Sequence, residues 1–284
     1  MILIASGAYL QGEFVSEVGL LPPSFLPIGN KRLFEYQIDF LRHSQYTDTD
    51  LYLSVPYSYQ IDLFDKQRLA ELGVETIHVP DGLSLGDSIL FCWNASGKQY
   101  QTLTLLHGDT LFLKAEFTKG NSISVHSNRG FYQRATLGKE MESLEKVHDD
   151  WTCDNEHVIS GFFRFVSPLF FMKSLVESKG DFIKAIVNYH QSQPLELIKQ
   201  GEWLDFGHIN SFFHSRTKMT TQRVFNELHM TSRVISKNSK ENAKKIYAEG
   251  HWFANLPLPL RLYTPSLLGL KKGKENYQNA NYQI

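Results

Sequence analysis

Two aspartates, far apart in the chain, have the neighbours expected of carboxylates that bind a metal ion. Asp109 follows Gly108 directly after an apolar run, and Asp205 lies in the segment Trp-Leu-Asp-Phe-Gly at 203–207. Ligands of an open α/β sheet gather beyond the carboxyl ends of its strands, which is where Asp109 falls. Two carboxylates that converge from separate loops can hold Mg²⁺ and leave its other positions to water and phosphate. The alternative for Gly108 and Asp109 is an ordinary turn after a strand.

The segment after the first apolar run has the composition of a phosphate-binding loop. It contains glycines, the pair Pro22 and Pro23, and Pro-Ile-Gly at 27–29, but no Lys or Arg before Lys31. The backbone N–H groups of residues 6–10 can hold phosphate oxygens without any side-chain charge. A compensating cation must then come from elsewhere in the chain.

Short β-rich runs alternate with amphipathic segments before Asp109, which is the pattern of a parallel α/β sheet. We predict strands at 2–5, 51–56, 76–80 and 102–107, and helices at 32–43, 61–72 and 87–94. Further along, we predict strands at 122–126, 131–136 and 158–165, then helices at 168–178, after the N-cap Ser167, and around 209–213. The predicted fold class is therefore α/β, with a mixed sheet flanked by helices.

The composition favours a cytoplasmic protein that acts on small molecules. The 29 Lys and Arg nearly balance the 30 Asp and Glu, so no overall field favours nucleic acid or an anionic membrane. Cys92 and Cys153 are too few for a disulfide framework and suit a reducing compartment. The apolar start is too short for a secretory signal, and no run approaches the roughly 20 apolar residues of an inserted helix. The oligomeric state stays open.

Short motifs along the chain resemble, in the same order, those of the sugar-phosphate nucleotidyltransferases, also called nucleoside-diphosphate-sugar pyrophosphorylases. They are Ala-Ser-Gly at 5–7, Pro-Pro-Ser-Phe-Leu-Pro-Ile-Gly at 22–29, Leu-Gly-Asp-Ser at 85–88, Gly-Asp-Thr at 108–110, Glu-Lys at 145–146, Ile-Ser-Gly-Phe-Phe-Arg-Phe at 159–165 and Trp-x-Asp-x-Gly at 203–207. The resemblance covers roughly residues 1–220.

This resemblance implies a Rossmann-like (GT-A-like) nucleotidyltransferase domain at 1–228 and a Mg²⁺-dependent site. The nucleotide contacts it implies are Ala5, Ser6, Gly7, Ala8, Leu85, Gly86, Asp87 and Gly108. The acceptor contacts it implies are Glu145, Lys146 and Gly161. Asp109 and Asp205 would be the metal ligands, and Asp109 and Lys146 the catalytic residues.

The chain departs from the family pattern at two cationic positions. The family's first loop runs Gly-x-Gly-x-Arg, whereas Gly7 is followed here by Ala-Tyr-Leu and no Arg, and the family's loop lysine falls on Pro23. Both changes remove charge that stabilises a pyrophosphate leaving group. The candidates for compensation are Lys31, Arg32, Arg129, Arg134 and Lys146. Each has the alternative of a solvated surface cation, although Lys146 lies on a family motif itself.

A second region begins near residue 231, with a predicted strand at 233–237 and a predicted helix at 243–253. Lys237 and Glu249 resemble the pair of the choline-kinase and aminoglycoside-phosphotransferase group, in which the glutamate orients a phosphate-binding lysine. The alternative is a solvated ion pair on a packing extension. No His-x-Asp motif follows before Ile284, so residues 229–284 are expected to be a small α+β segment, the start of such a domain, with a poorly ordered tail at 271–284.

The leading hypothesis is transfer of NMP from an NTP to a small phosphorylated acceptor, a sugar-1-phosphate or related metabolite, in a bacterial surface-polysaccharide (capsule) pathway. The alternative is a catalytically silent nucleotide-binding or sugar-nucleotide-binding domain that regulates a fused or associated kinase-like partner, since the loop cations are missing. A nucleotide-sugar glycosyltransferase is less favoured, because no Asp-x-Asp follows the central strand.

Overall fold

The computed structural model of the chain describes residues 1–43, 50–115, 118–127, 157–219, 227–230, 234–238, 243–272 and 281–284. Their contacts divide them into two units, Met1–Phe212 and Phe213–Ile284. The sequence placed this boundary at 228/229. Glu145, Lys146 and the strand predicted at 131–136 lie outside the described residues.

Apolar runs form the strands of the first unit, because a sheet covered by helices buries both faces of its strands. Its elements are β1 (Ile2–Ala5), α1 (Glu13–Val18), a 3₁₀ turn (Pro23–Phe25), β2 (Pro27–Ile28), β3 (Lys31–Arg32), α2 (Leu33–His43), β4 (Leu51–Pro56), α3 (Leu63–Glu71), β5 (Glu75–Val79), α4 (Leu85–Ala95), β6 (Leu103–His107), β7 (Thr110–Leu113), β8 (Ser122–Ser127), β9 (His157–Phe165), α5 (Pro168–Glu177), α6 (Phe182–Ser192), β10 (Glu196–Ile198), β11 (Glu202–Asp205) and α7 (Ile209–Met219), whose residues fall in both units. No helix among the described residues is both long and apolar enough to cross a bilayer.

Seven strands of the described chain form the main sheet, in the order β10-β8-β9-β6-β1-β4-β5. Strand β1 pairs in parallel with β4 and with β6, and β5 extends the parallel part beside β4. Strand β9 runs antiparallel to both β6 and β8, which makes the sheet mixed. The predicted α/β fold class, a mixed sheet flanked by helices, is confirmed.

Helices cover both faces of this sheet. Successive residues of β1 alternate between the faces, so that Leu3 packs in one core cluster while Ile2 and Ile4 pack in the other. The first cluster contains residues of α4, α5 and α6, and the second contains residues of α2 and α3. Each large apolar side chain that is fully buried there contributes about 1.5–3 kcal/mol to stability.

The predicted helices and strands of the described residues agree with the structure to within about two residues at most ends, and the start of α4 illustrates why they differ. The hydroxyl of Ser84 accepts a hydrogen bond from the N–H of Asp87 at 3.1 Å, an N-cap contact. Leu85 and Gly86, which the sequence placed before the helix, therefore belong to its first turn.

A two-stranded antiparallel ribbon of β7 and β11 lies outside the main sheet. Its register pairs Asp205 with Thr110 at one end and Glu202 with Leu113 at the other. Strand β7 begins directly after Asp109 and β11 ends at Asp205. The register therefore brings the two aspartates to the same end of the ribbon.

After α7, the described residues of the second unit form an antiparallel sheet and two helices. Its elements are β12 (Glu227–Met230), β13 (Ile235–Asn238), α8 (Ala243–Ala254), α9 (Leu258–Arg261), β14 (Gly269–Lys271) and β15 (Asn281–Gln283). The sheet order is β12-β13-β15-β14, so β15, from a tail expected to be poorly ordered, lies between two other strands. Ile246 of α8 and Tyr282 of β15 are buried.

Lys237 and Glu249 form an ion pair in this unit, between β13 and α8. The Tyr282 hydroxyl donates to the same carboxylate oxygen of Glu249 at 3.3 Å. The side chains of Lys237 and Glu249 are only 22% and 29% exposed. Lys237 and Glu249 are thus paired and partly buried, unlike the solvated pair that the sequence left as an alternative.

Candidate active site

The two aspartates predicted to bind a metal ion meet at Gly207. The N–H of Gly207 donates to Asp205 Oδ1 at 3.1 Å. A Cβ atom on Gly207 would overlap Asp109 Oδ2 and would lie 3.4 Å from Asp205 Oδ1. The structure therefore brings both carboxylates to one small space, and the missing side chain of Gly207 keeps that space open.

The donors around this space suit Mg²⁺. Thr110 Oγ1 donates to the carbonyl of Ser160 at 3.2 Å and lies 3.5 Å from Asp109 Oδ1, and His208 Nδ1 lies 3.8 Å from Asp205 Oδ2. In the described ranges, no three or more His, Cys, Asp or Glu side chains are grouped as a metal site. Two carboxylates with open positions are typical of Mg²⁺, which keeps bound waters and takes phosphate oxygens.

A buried glutamine holds the turn that carries Asp109. Gln37 of α2 is fully buried, and its Nε2 donates to the carbonyl oxygens of Gly108 at 3.0 Å and of Thr110 at 2.8 Å. These two carbonyls flank Asp109 in the chain, so α2 fixes the backbone on both sides of it. In the sequence, Gln37 is one polar residue within an amphipathic helix, and nothing there indicates this contact.

A cavity of about 300 Å³ opens beside the aspartates. Four of its wall residues were predicted as site residues, namely Leu85, Asp109, Gly161 and Asp205. The other wall residues were not predicted as site residues, and they include Ser160, Phe163, Asp181, Phe182, Trp203 and His208. Trp203 belongs to the Trp-x-Asp-x-Gly motif, which is a signal that sequence reasoning left unused. No Lys or Arg occurs among the described residues of the wall.

Gly161 lets β9 pass close to this cavity. Its φ is +91°, and a Cβ there would lie 2.7 Å from Thr110 Oγ1 and 3.1 Å from His107 Cβ. Any other residue would be strained by this φ and would meet both neighbours. The glycine that the sequence assigned to the acceptor site thus shapes the cavity wall by its backbone.

His107 forms part of the same wall. Its ring packs against those of Phe163 and Phe182, at centroid distances of 5.3 and 5.7 Å. Burial lowers the pKa of His107 to about 4, so the imidazole is neutral near pH 7. Its Nε2 is buried and has no hydrogen-bond partner among the residues that the structure describes.

A chain of hydrogen bonds joins the first loop, the proline segment and the Gly-Asp turn. The N–H of Ser6 donates to Ser54 Oγ at 2.9 Å, and Ser6 Oγ accepts from the N–H of Ser24 at 3.1 Å. Ser24 Oγ donates to the carbonyl of Gly108 at 3.2 Å, and the N–H of Gly108 donates to the carbonyl of Ala5 at 2.8 Å. Three motifs that are distant in the sequence are therefore fixed to one another.

These contacts leave only part of the first loop available to a ligand. The N–H groups of Ser6 and Leu10 are taken by Ser54 and by the carbonyl of Leu21. Within the described residues, the N–H groups of Gly7, Ala8 and Tyr9 make no hydrogen bond. A backbone phosphate site is thus confined to these three groups rather than spread over residues 6–10.

The start of α4 contributes differently at each of its three predicted nucleotide contacts. Leu85 lines the cavity. A Cβ on Gly86 would overlap the carbonyl of Gly180, so this glycine serves close packing. The carboxylate of Asp87 accepts from the hydroxyl of Ser84 at 2.7 Å, which gives it a capping role. Contact of Gly86 and Asp87 with a nucleotide stays a prediction.

Two of the candidate cations are engaged away from the cavity. Arg32 binds Asp65 of α3 at 3.0 Å and Asp62 at 3.5 Å. The Nζ atom of Lys31 lies 5.4 Å from the ring centre of Tyr36. The other three candidates, Arg129, Arg134 and Lys146, lie outside the described residues, as does Glu145.

Comparison with known proteins finds relatives by structure alone. No protein-family model and no curated protein matches the chain by sequence. Among solved structures, the nucleoside-diphosphate-sugar pyrophosphorylase from Vibrio cholerae RC9 matches with a TM-score of 0.60 and 14% identity, over 76% of this chain and 99% of that one. A UDP-glucose pyrophosphorylase from Acinetobacter baumannii matches with a TM-score of 0.55 and 12% identity, over 76% of this chain and 92% of that one. The inositol-1-phosphate CTP transferase from T. maritima matches with a TM-score of 0.53 and 16% identity, over 77% of this chain and 94% of that one.

These matches establish the fold. At 12–16% identity they show that the chain has the Rossmann-like architecture of these nucleotidyltransferases, which the motifs predicted. The matches span nearly the whole of each solved chain. The activity of this protein is a separate inference, which depends on its own site.

Proposed function

We propose that the chain transfers a nucleotidyl group from an NTP to a small phosphorylated acceptor and releases pyrophosphate. An oxygen of the acceptor phosphate attacks the α-phosphorus, and the bond from that phosphorus to the leaving pyrophosphate breaks. The observation that carries this proposal is the convergence of Asp109 and Asp205 at Gly207, on the wall of a cavity. The fold that the chain shares with solved pyrophosphorylases supports it.

The described residues divide the substrates between two places. The N–H groups of Gly7, Ala8 and Tyr9 would bind phosphate oxygens of the NTP, as backbone amides do in anion sites. The cavity would hold the acceptor, with Leu85 on its wall. Asp109 and Asp205 would hold Mg²⁺, which when bound would offset the charge of the triphosphate.

The leaving pyrophosphate needs positive charge that the described cavity wall does not supply, since no Lys or Arg lies on that part of it. We assign this role to Lys146, which resembles the lysine of the family's Glu-Lys pair, and we place Glu145 beside the acceptor. A preorganised cation near the reacting phosphates is where most of the rate enhancement of such a reaction arises.

Pyrophosphate release is the experiment that tests this function. It should be measured with each of the four NTPs, Mg²⁺ and a panel of phosphorylated acceptors, together with calorimetric binding of each NTP. Release that is lost in Asp109→Asn and Asp205→Asn, but kept in the control Asp39→Asn, supports the proposal. Asp39 suits this control because its side chain is 73% exposed and pairs with His43 on α2.

A second candidate function is a silent nucleotide-binding domain that regulates a kinase-like partner. The observations that favour it are the missing loop cations and the partly buried Lys237–Glu249 pair, which resembles a kinase phosphate-binding pair. NTP binding without pyrophosphate release from any acceptor would support this candidate and reject the transferase.

The resemblance also supports a biological setting. We propose that the enzyme works in the cytoplasm, in surface-polysaccharide (capsule) biosynthesis. A fused or associated kinase-like domain would phosphorylate the same small molecule that the transferase then activates.

A further inference from the structure

The acceptor cavity carries more negative charge than a metal site needs. Asp109 and Asp205 supply the two carboxylates that face Gly207, and Asp181 is a third carboxylate on the cavity wall. It belongs to a different element, since it precedes α6. An acceptor bound in this cavity would therefore have an anionic carboxylate beside the end that does not carry its phosphate.

Asp181 is held in place as a helix cap. Its Oδ1 accepts from the N–H of Lys184 at 3.1 Å, and Lys184 Nζ lies 3.3 Å from its Oδ2. The N–H of Lys184 lowers the pKa of Asp181, so this carboxylate is charged at neutral pH. The side chain of Lys184 is 74% exposed, and an ion pair of this kind is weak in water. Oδ2 can therefore accept a ligand cation at little cost.

Apart from ring nitrogens such as His107 Nε2, the described remainder of the wall offers mainly apolar surface. Thr110 Oγ1 already donates to a backbone carbonyl, and Ser160 Oγ is bonded to Ser124 Oγ at 2.8 Å and His126 Nδ1 at 2.9 Å. Three aromatic residues line the rest, namely Phe163, Phe182 and Trp203, of which Phe163 is fully buried, Phe182 is 7% exposed and Trp203 is partly exposed. A sugar ring with several hydroxyls would find few partners on this part of the wall, whereas a methylated ammonium needs only apolar contact, ring faces and a nearby carboxylate.

We infer that the acceptor is a phosphoester that carries a quaternary ammonium group, with Asp181 and the aromatic rings of the cavity as its recognition site. This inference rests on the proposed function and names its substrate class. Asp181 would bind the cation, and Trp203 with the exposed part of Phe182 would contact its methyl groups, while the phosphate would lie toward Asp109 and Asp205. A primary amine would fit less well, because its N–H donors need more acceptors than Asp181 supplies.

The test compares ligands that differ in charge but not in shape. Calorimetric binding and pyrophosphate release are measured with phosphocholine, its uncharged carbon isostere 3,3-dimethylbutyl phosphate, phosphoethanolamine and glucose 1-phosphate. We expect kcat/KM for phosphocholine to exceed that for the isostere at least roughly tenfold, as expected for a desolvated cation–π contact joined to an ion pair. Asp181→Asn should bring that ratio close to one, and asparagine still caps a helix.

A matched control uses another capping aspartate outside the cavity. Asp62 caps α3 through the N–H of Asp65 at 2.8 Å, so Asp62→Asn should leave the ratio unchanged. Equal binding and turnover of phosphocholine and its isostere, or faster use of glucose 1-phosphate, would overturn the inference while the transferase proposal stands. Failure to release pyrophosphate with any acceptor, or to bind any NTP, would overturn both.

Discussion

The backbone N–H of Phe206 donates to the carbonyl of Asp109 at 2.8 Å, which ties together the two loops that carry Asp109 and Asp205, the aspartates proposed to bind Mg²⁺. The contact continues the β7–β11 ribbon beyond its last paired residues, Thr110 and Asp205. The separation of the two carboxylates is therefore set by backbone hydrogen bonds rather than by the side chains alone. The space between the two carboxylates stays open because Gly207 has no side chain.

Gly207→Ala is expected to disrupt this pair, because the added methyl group would overlap Asp109 Oδ2. We predict that turnover falls roughly 10²-fold, as for other displacements of reacting groups by about 1 Å. The affinity for Mg²⁺ with NTP, measured by calorimetry, should fall as well. Gly120→Ala is the control, because a Cβ there meets nothing within 4 Å. Unchanged Mg²⁺-dependent binding in Gly207→Ala would remove the metal-site assignment.

Gln37→Leu is expected to destabilise the fold and to loosen the Asp109 turn. The carbonyl of Thr110 would lose its bond to Gln37, whereas that of Gly108 would keep its bond to Ser24. One buried carbonyl left without a partner costs about 2 kcal/mol. Urea unfolding measures this loss, and Gln67→Leu, at an exposed site on α3, should change stability little. Equal stability of the two variants would contradict the role of Gln37.

Lys146→Ala is expected to lower turnover by roughly 10²-fold or more, comparable to the loss of one preorganised donor. The melting temperature should stay near that of the wild type, because the charge of a single lysine usually contributes little to stability. Turnover and melting temperature are measured on the same preparation. If Lys146→Ala keeps its turnover while Arg129→Ala or Arg134→Ala loses it, the compensating cation lies near Arg129 and the resemblance to the Glu-Lys pair is misplaced.

Alkaline pH is expected to destabilise the protein in part through Tyr282. Burial and the carboxylate of Glu249 raise the pKa of Tyr282 to about 12, from an ordinary value of 10.0. Between these values the unfolded chain releases a proton that the folded chain keeps, so stability falls as pH rises from about 10. The slope due to one proton is about 1.4 kcal/mol per pH unit, and it should be missing in Tyr282→Phe. Urea unfolding of the full chain at pH 9 to 11 compares the wild type with Tyr282→Phe. The same pH dependence of the free energy of unfolding in both proteins would refute the raised pKa of Tyr282.

The sequence by itself determined the architecture and singled out the two aspartates that the structure brings together. Apolar runs such as 2–5 and 51–56 are buried on both faces, and the helices between them show one apolar stripe, so local periodicity carried enough information to place them. Asp109 and Asp205 were found because each lies within two residues of a glycine, Gly108 or Gly207, at a strand end. These patterns are local, and local patterns are what a single sequence shows.

Only the tertiary structure decided which other residues meet at the site. The sequence assigned no role to Asp181 and offers Gln37 only as a polar position on a helix, because their contacts with the cavity and with the Asp109 turn come from chain segments dozens of residues away. Arg32 reads as a candidate phosphate ligand, yet Asp62 and Asp65 hold it on α3. Such partners follow from sheet order and strand register, which depend on the packing of the whole chain. The residues next to each position in the sequence therefore do not indicate its partners.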